Sequence, residues 1–231
     1  MKMIDYKSIQ ACHRSVLLIA ALVCQIWMPA SHAGEFALSK QVLESVEQEY
    51  GDYALQRVLF WNDLITGNQQ AEELEKLRMV NDFINELAFI NDIDHWGKED
   101  YWATPMQMLT SNGGDCEDFS IAKYFTLREM GVSAEKMRLT YVKALDLNQA
   151  HMVLTYFPTP ESDPLVLDNL LTEIRPASDR KDLLPVYSFN GSSLWLAKSR
   201  GNGQRIGNAD RLSRWKEVIA RINDEQIPLS P

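Results

Sequence analysis

The segment Gly113-Gly114-Asp115-Cys116-Glu117-Asp118 sets one thiol among three carboxylates at the head of an apolar run. Two glycines let the backbone turn sharply and Asp115 is a good helix N-cap, which puts Cys116 on the first turn of a helix. There, unpaired backbone N–H groups and the positive end of the helix dipole lower a thiol's pKa from about 8.5 and favour the nucleophilic thiolate. The carboxylates pull the other way, because negative neighbours disfavour a second negative charge; a bound divalent cation reverses that logic. Hard oxygen ligands suit Ca²⁺, with backbone carbonyls or waters completing its shell. Plain helix capping by Asp115 and Asp118 accounts for the same acids without a metal, and no EF-hand loop is present.

A nucleophile needs a base. Beyond residue 33 the chain has two histidines, His95 and His151. His151 opens a strand-like run, 151–157, on which it shares a face with Val153 and Thr155. Asp168 lies near the end of the next run, 165–169, on the face of Val166. If the two runs pair, Asp168 accepts the second imidazole N–H and fixes the tautomer, completing a nucleophile–base–acid triad. Two other readings stay open: a buried, inert cysteine, and a three-ligand zinc site made by the same cysteine, histidine and aspartate.

The elements that must position these groups follow from hydrophobic period. Residues 36–92 read as helices, with stripes Val42, Val46, Tyr50, then Leu55, Val58, Leu59, Ile65, then Leu74, Leu77, Val80, Ile84, Leu87, all read as core packing. Gly51 and Gly67 fall at helix ends. Residues 93–114 read as an irregular connection. From Asp115 to Met130 a helix is expected, closed by Gly131 and apolar nearly all round, hence buried on several sides. The period then changes to two: strands at 137–141, 151–157 and 165–169, with shorter ones at 186–190 and 194–197. A last amphipathic helix starts near Asn208 with Leu212, Trp215, Ile219 and Ile222 on one face, and the tail after Glu225 reads as loose. Helices followed by an antiparallel sheet make an α+β domain.

Composition excludes several classes. Of 231 residues 45% are hydrophobic and 24% charged, ordinary for a globular chain and wrong for a disordered or coiled-coil one. With 32 acids against 23 bases, a net charge of -9, the surface repels phosphate backbones, so no nucleic-acid partner is expected. Lys2, Lys7 and Arg14 precede an apolar stretch from Val16 to Trp27 and the small residues of Ser31-His32-Ala33, the layout of a secretory signal peptide cut after Ala33. An uncleaved membrane anchor is the alternative. Export removes Cys12 and Cys24 and leaves Cys116 as a lone thiol in an oxidising compartment, which calls for a reason.

Taken together, Trp102-Ala-Thr-Pro105, Gly114-Asp-Cys-Glu-Asp118 followed by Ile121-Ala-Lys-Tyr124, Ala150-His-Met-Val-Leu154, Pro164-Leu-Val-Leu-Asp-Asn169, Pro185-Val-Tyr-Ser-Phe-Asn190 and Leu194-Trp195 resemble the bacterial transglutaminase-like cysteine proteinases of the LapG family. The resemblance spans roughly residues 36–200. It implies a papain-like or transglutaminase-like fold in which N-terminal helices precede an antiparallel sheet packed on the central cysteine-bearing helix. One domain over 34–231 is expected: a helical lobe (34–92), a catalytic core (93–200) and a C-terminal helix and tail (201–231). Also implied is a periplasmic, Ca²⁺-dependent endopeptidase with catalytic Cys116, His151 and Asp168. Its metal ligands would be Asp115 and Glu117, with Asp118 a further candidate. The family cuts a large cell-surface adhesin near a di-alanine site in its N-terminal retention region, which disperses biofilm. An inner-membrane cyclic di-GMP receptor of the LapD type holds the protease in check; the protease itself is not membrane-embedded. Trp102 is an oxyanion candidate by analogy to transglutaminases, a surface anchor for the receptor, or core packing. A transferase or deamidase on the same triad, or a non-catalytic receptor-binding module, would share much of this sequence pattern.

Overall fold

A computed structural model describes residues 36–196, 203–225 and 227–229; the expected signal peptide, with Cys12, Cys24 and Ala33, lies outside them. The described residues belong to one unit, Gly34–Pro231.

Three helices lead. α1 (Lys40–Tyr50) is capped by Ser39, whose hydroxyl accepts from the Val42 N–H. Gly51, at φ +80°, ends it and starts α2 (Asp52–Gly67), a backbone turn that favours glycine. α3 (Glu73–Asn85) follows. Most of the apolar stripe residues are covered, but Tyr50, Leu59 and Leu74 are exposed. Tyr50 is the last residue of α1 and Leu74 the second of α3, positions that overhang the core. Trp61, which belongs to no stripe, is fully buried, and its Nε1 donates to Thr126 Oγ1 at 2.8 Å.

The connection expected to be irregular contains structure. After β1 (Ala88–Phe89) and a one-turn helix α4 (Asp92–His95), the chain forms α5 (Pro105–Ser111). Thr104 and Gln107 make a reciprocal capping box with Pro105 in the first turn, a signal legible in the sequence and overlooked because seven residues show no stripe. β2 (Gly113–Gly114) pairs in parallel with β1. It delivers the chain to α6 (Cys116–Glu129), the central helix, which ends at Gly131 with φ +88°. α6 touches α2, α3 and α5 on one side.

On its other side α6 packs against β3 (Met137–Ala144) and β4 (Gln149–Tyr156). These are central to a seven-stranded sheet with β5 (Leu165–Leu167), β6 (Arg175–Pro176), β7 (Leu183–Phe189), β8 (Leu194–Leu196) and β9 (Gln204–Gly207). Its order is β6-β5-β4-β3-β7-β8-β9, with every neighbouring pair antiparallel. The five expected strands are present; β4 starts two residues earlier and β7 three residues earlier than their patterns, and β6 and β9 are additions.

The main core lies between helices and sheet, and a smaller cluster of Val142, Ala144, Val153, Val166 and Leu183 covers the other sheet face. α7 (Ser213–Asp224) closes the fold by setting Trp215 against Tyr124, Phe125 and Phe189. The tail is not loose: Ile227 and Leu229 are buried in the main core, and apolar burial outweighs the ordering of so short a stretch. No helix among the described residues is long and apolar enough to cross a membrane.

Candidate active site

Cys116 is the first residue of α6 and lines a cleft of about 620 Å³, together with His151, Trp102, Tyr141 and Tyr187. The sharp approach to it is sterically dictated. A Cβ on Gly113 would come within 2.5 Å of the Ala88 carbonyl oxygen across the β1–β2 pair. The helix start is fixed by Asp118, whose Oδ2 accepts from the Asp115 N–H at 3.2 Å and whose Oδ1 accepts from Ala103 N–H at 2.6 Å.

The strand pairing brings His151 and Asp168 together. Tyr141 faces Met152 and Val142 faces His151 across β3–β4; β5 pairs with β4 on the other side. Asp168 follows β5 directly, and its Oδ1 lies 2.7 Å from His151 Nε2. Both side chains are almost fully buried, His151 at 3% and Asp168 at 1% exposure. Burial alone would raise Asp168, but the hydrogen bond and charge of His151, the Leu170 N–H and Arg180 outweigh it and hold the carboxyl at about 2. With Nε2 engaged, Nδ1 is the nitrogen left to serve a thiol. Cys116 meets β4 at the next residue along, Met152, whose backbone N–H interacts with the sulfur. His95 is elsewhere, on α4, stacked on Trp96 at 4.2 Å.

The carboxylates decide the state of the sulfur. The Cys116 thiol donates to Glu117 Oε2 at 3.0 Å, and burial, Glu117 and Asp115 together push its pKa strongly up, overriding the helix terminus. The acids themselves are raised. Asp118 is pushed up by burial and Asp115, and Asp115 by burial and Glu117. Burial likewise raises Glu117, although the hydrogen bonds of Asp115 and Cys116 oppose it. Asp92, which sequence reasoning did not single out, joins them: its carboxylate lies within 4.8 Å of Asp115 and Asp118, and in a second grouping of Asp100 and Glu117. One Asp92 oxygen accepts from the Tyr101 N–H; its other oxygen and Asp115 Oδ1 are buried with no hydrogen-bond partner. Converging carboxylates, two of them with a buried unpartnered oxygen, form a donor set suited to a hard divalent cation. Capping by Asp118 is present as well, so capping and ion binding are compatible uses of one cluster.

The zinc alternative does not fit. Among the described residues, the groups whose ligand atoms converge contain neither His151 nor Asp168, and Asp168 is committed to His151 and Arg180. Trp102 is 7% exposed and stacked on Phe189 at 5.8 Å, while its carbonyl accepts from Arg221. It is a packed wall of the cleft and lacks the exposure of a surface anchor.

Comparison with known proteins agrees with this geometry. The family model described as bacterial transglutaminase-like cysteine proteinase BTLCP matches residues 62–189. Legionella pneumophila LapG is similar at 40% identity over 81% of this chain and 99% of that one, with a TM-score of 0.70. An EGTA-treated LapG structure matches at 41% identity, 81% and 99% coverage and a TM-score of 0.71. A calcium-bound one matches at 41%, 80% and 99%, with a TM-score of 0.69. Among curated proteins none matches the chain. The chain therefore belongs to the bacterial transglutaminase-like cysteine proteinases, and it is a cysteine peptidase of α+β fold.

Proposed function

We propose that this peptidase is an exported, Ca²⁺-dependent endopeptidase with Cys116 as nucleophile, His151 as base and Asp168 as orienting acid. The observation that carries the reading is the 2.7 Å His151–Asp168 pair opening on the cleft that Cys116 lines. His151 Nδ1 takes the thiol proton of Cys116, and the sulfur attacks the scissile carbonyl. The backbone N–H of Cys116 at the helix start helps hold the oxyanion, and His151 returns the proton to the leaving amine. Water, deprotonated by the same imidazole, releases the acyl group and restores the thiol. Trp102 shields one side of the cleft from solvent.

Asp92, Asp115, Glu117 and Asp118 would hold Ca²⁺, with Asp100 at the rim. When bound, the cation supplies positive charge that neutralises these acids and relieves their opposition to a thiolate. The calcium-bound and EGTA-treated LapG structures support this choice of metal. By the same likeness the substrate is the N-terminal region of a large surface adhesin with a di-alanine site. The place of action is the periplasm, reached by a cleaved signal peptide, and the control is sequestration by a LapD-type cyclic di-GMP receptor, with adhesin release dispersing biofilm.

The test is cleavage of a co-expressed adhesin N-terminal region. Cys116→Ala should abolish the cut while leaving the fold intact, and EGTA should abolish it reversibly, with Ca²⁺ restoring activity better than Mg²⁺. Full cleavage by Cys116→Ala would end the protease assignment, and cleavage indifferent to chelation would end the calcium assignment. Ammonia release or amine incorporation without a chain cut would identify an acyltransferase instead.

A further inference from the structure

Asp168 has two oxygens, and the triad uses one. Oδ1 receives His151 Nε2 at 2.7 Å and the Leu170 N–H at 3.0 Å. Oδ2 receives Arg180 Nη2 at 2.7 Å. Arg180 lies in the turn between β6 and β7, away from the cleft lining, and is only 3% exposed. An arginine buried to that degree is costly unless paired. Its second partner is Asp182, reached by the same Nη2 at 2.7 Å and by Nε at 3.0 Å. Asp182 is the more exposed acid; its two oxygens grip Nε and Nη2, and the same Nη2 reaches Asp168.

A buried lysine lies on the helix that carries Cys116. Lys123 is 1% exposed and sits two turns after Cys116 on α6; burial lowers its ammonium to about 7, against the opposing charges of Asp168 and Asp82. It belongs to the Ile121-Ala-Lys-Tyr124 motif, to which the peptidase chemistry assigns no role. Asn85 adds a fixed point by donating to the Asp168 carbonyl at 2.9 Å.

We infer that Arg180 is a positioning residue for the triad, holding the Asp168 carboxylate in the orientation that presents Oδ1 to His151. This rests on the triad reading of Cys116, His151 and Asp168. An orienting acid works only if its own rotamer is locked, since its bond to the imidazole sets both the tautomer and the aim of the other nitrogen. A carboxylate held by one oxygen can swing about χ2; held at both, it cannot.

The test uses the mature protein with Ca²⁺ present and a fluorogenic peptide carrying a di-alanine site. Arg180→Gln should lower kcat on the order of tenfold or more, as loss of an outer partner of a functional imidazole does, with KM within about twofold. Arg180→Lys, which keeps the charge but cannot span both acids, should fall between Arg180→Gln and the parent. The downfield imidazole N–H resonance of His151 should shift in both. Parent-like kcat in folded Arg180→Gln overturns the inference, as does a loss of kcat that merely follows the loss of folded protein in both variants. If Arg180→Gln does not fold, Arg180→Lys decides, and an unshifted His151 resonance in it overturns the inference. Failure of the triad itself would show separately, as undiminished cleavage by Cys116→Ala.

Discussion

The hydroxyl of Ser120 on α6 meets the carbonyl oxygen of Met152 on β4 at 3.0 Å, and the carbonyl oxygen of Cys116 at 2.9 Å. Ser120 is one turn past Cys116, the proposed nucleophile, and Met152 is the residue after His151, the proposed base. One buried side chain thus ties the turn beneath the sulfur to the strand that carries the imidazole.

Ser120→Ala should therefore cost more in rate than in stability. The lost hydrogen bond contributes about 1 kcal/mol to folding, whereas a small shift between two reacting groups costs far more in catalysis, on the order of tenfold or beyond in kcat/KM. Kinetics beside denaturant unfolding checks the split, and an unchanged kcat/KM would show that α6 and β4 keep their register without this contact.

Asp92 lies 24 positions before Cys116, yet its carboxylate is among those closest to Asp115 and Asp118. Added Ca²⁺ should raise the unfolding temperature of the parent, the gain reaching about 2.7 kcal/mol once free ion is 100-fold above Kd. Asp92→Ala should lose most of that response in a thermal titration. A parent-sized response in the variant would remove Asp92 from the ligand set.

Glu225 is half-buried, and that burial raises its carboxyl to about 7 despite a 2.5 Å hydrogen bond from Thr104 Oγ1 and the nearby Arg221 charge. The folded state therefore holds a proton that the unfolded chain releases near the ordinary glutamate value, about 4.3. The unfolded state binds fewer protons between those limits, so stability falls as pH rises through that window and levels off above about 7. Glu225→Gln should remove this fall, which amounts to about 3–4 kcal/mol across the window. Urea unfolding of both proteins from pH 4 to 8 measures it, and parallel curves would assign the slope to other groups.

Gly113→Ala should destabilise by about 1–3 kcal/mol, because its Cβ would press on the Ala88 carbonyl oxygen and the Ile90 side chain, so the backbone must shift. Calorimetry gives the loss. A neutral result would mean that β1 yields without disturbing the start of α6.

The three residues proposed as the triad stood out in the sequence because each is named by chemistry rather than by pattern: a lone thiol before a helix, a histidine on a strand, an acid on the next. Asp92 and Arg180 did not, since one opens a single-turn helix and the other sits in a short turn, and neither has a period to read. Both reach the site through folding of segments distant in sequence. The same reason hid β6 and β9, whose two and four residues are too short for an alternation to stand out. Trp61 escaped because α2 is covered over more of its circumference than a single stripe describes. The state of the sulfur needed the coordinates, since a helix start lowers a thiol and carboxylates raise it, and only burial says which prevails.

The seating of the chain's last described residues has a practical side. Arg221 holds the Trp102 carbonyl, Glu225 holds Thr104, and Ile227 and Leu229 plug the core beneath them. A truncation at residue 224, or a bulky fusion spliced there, would slacken the cleft wall from more than a hundred positions away. Expression designs that trim this end for convenience would blunt the enzyme without touching one reacting atom.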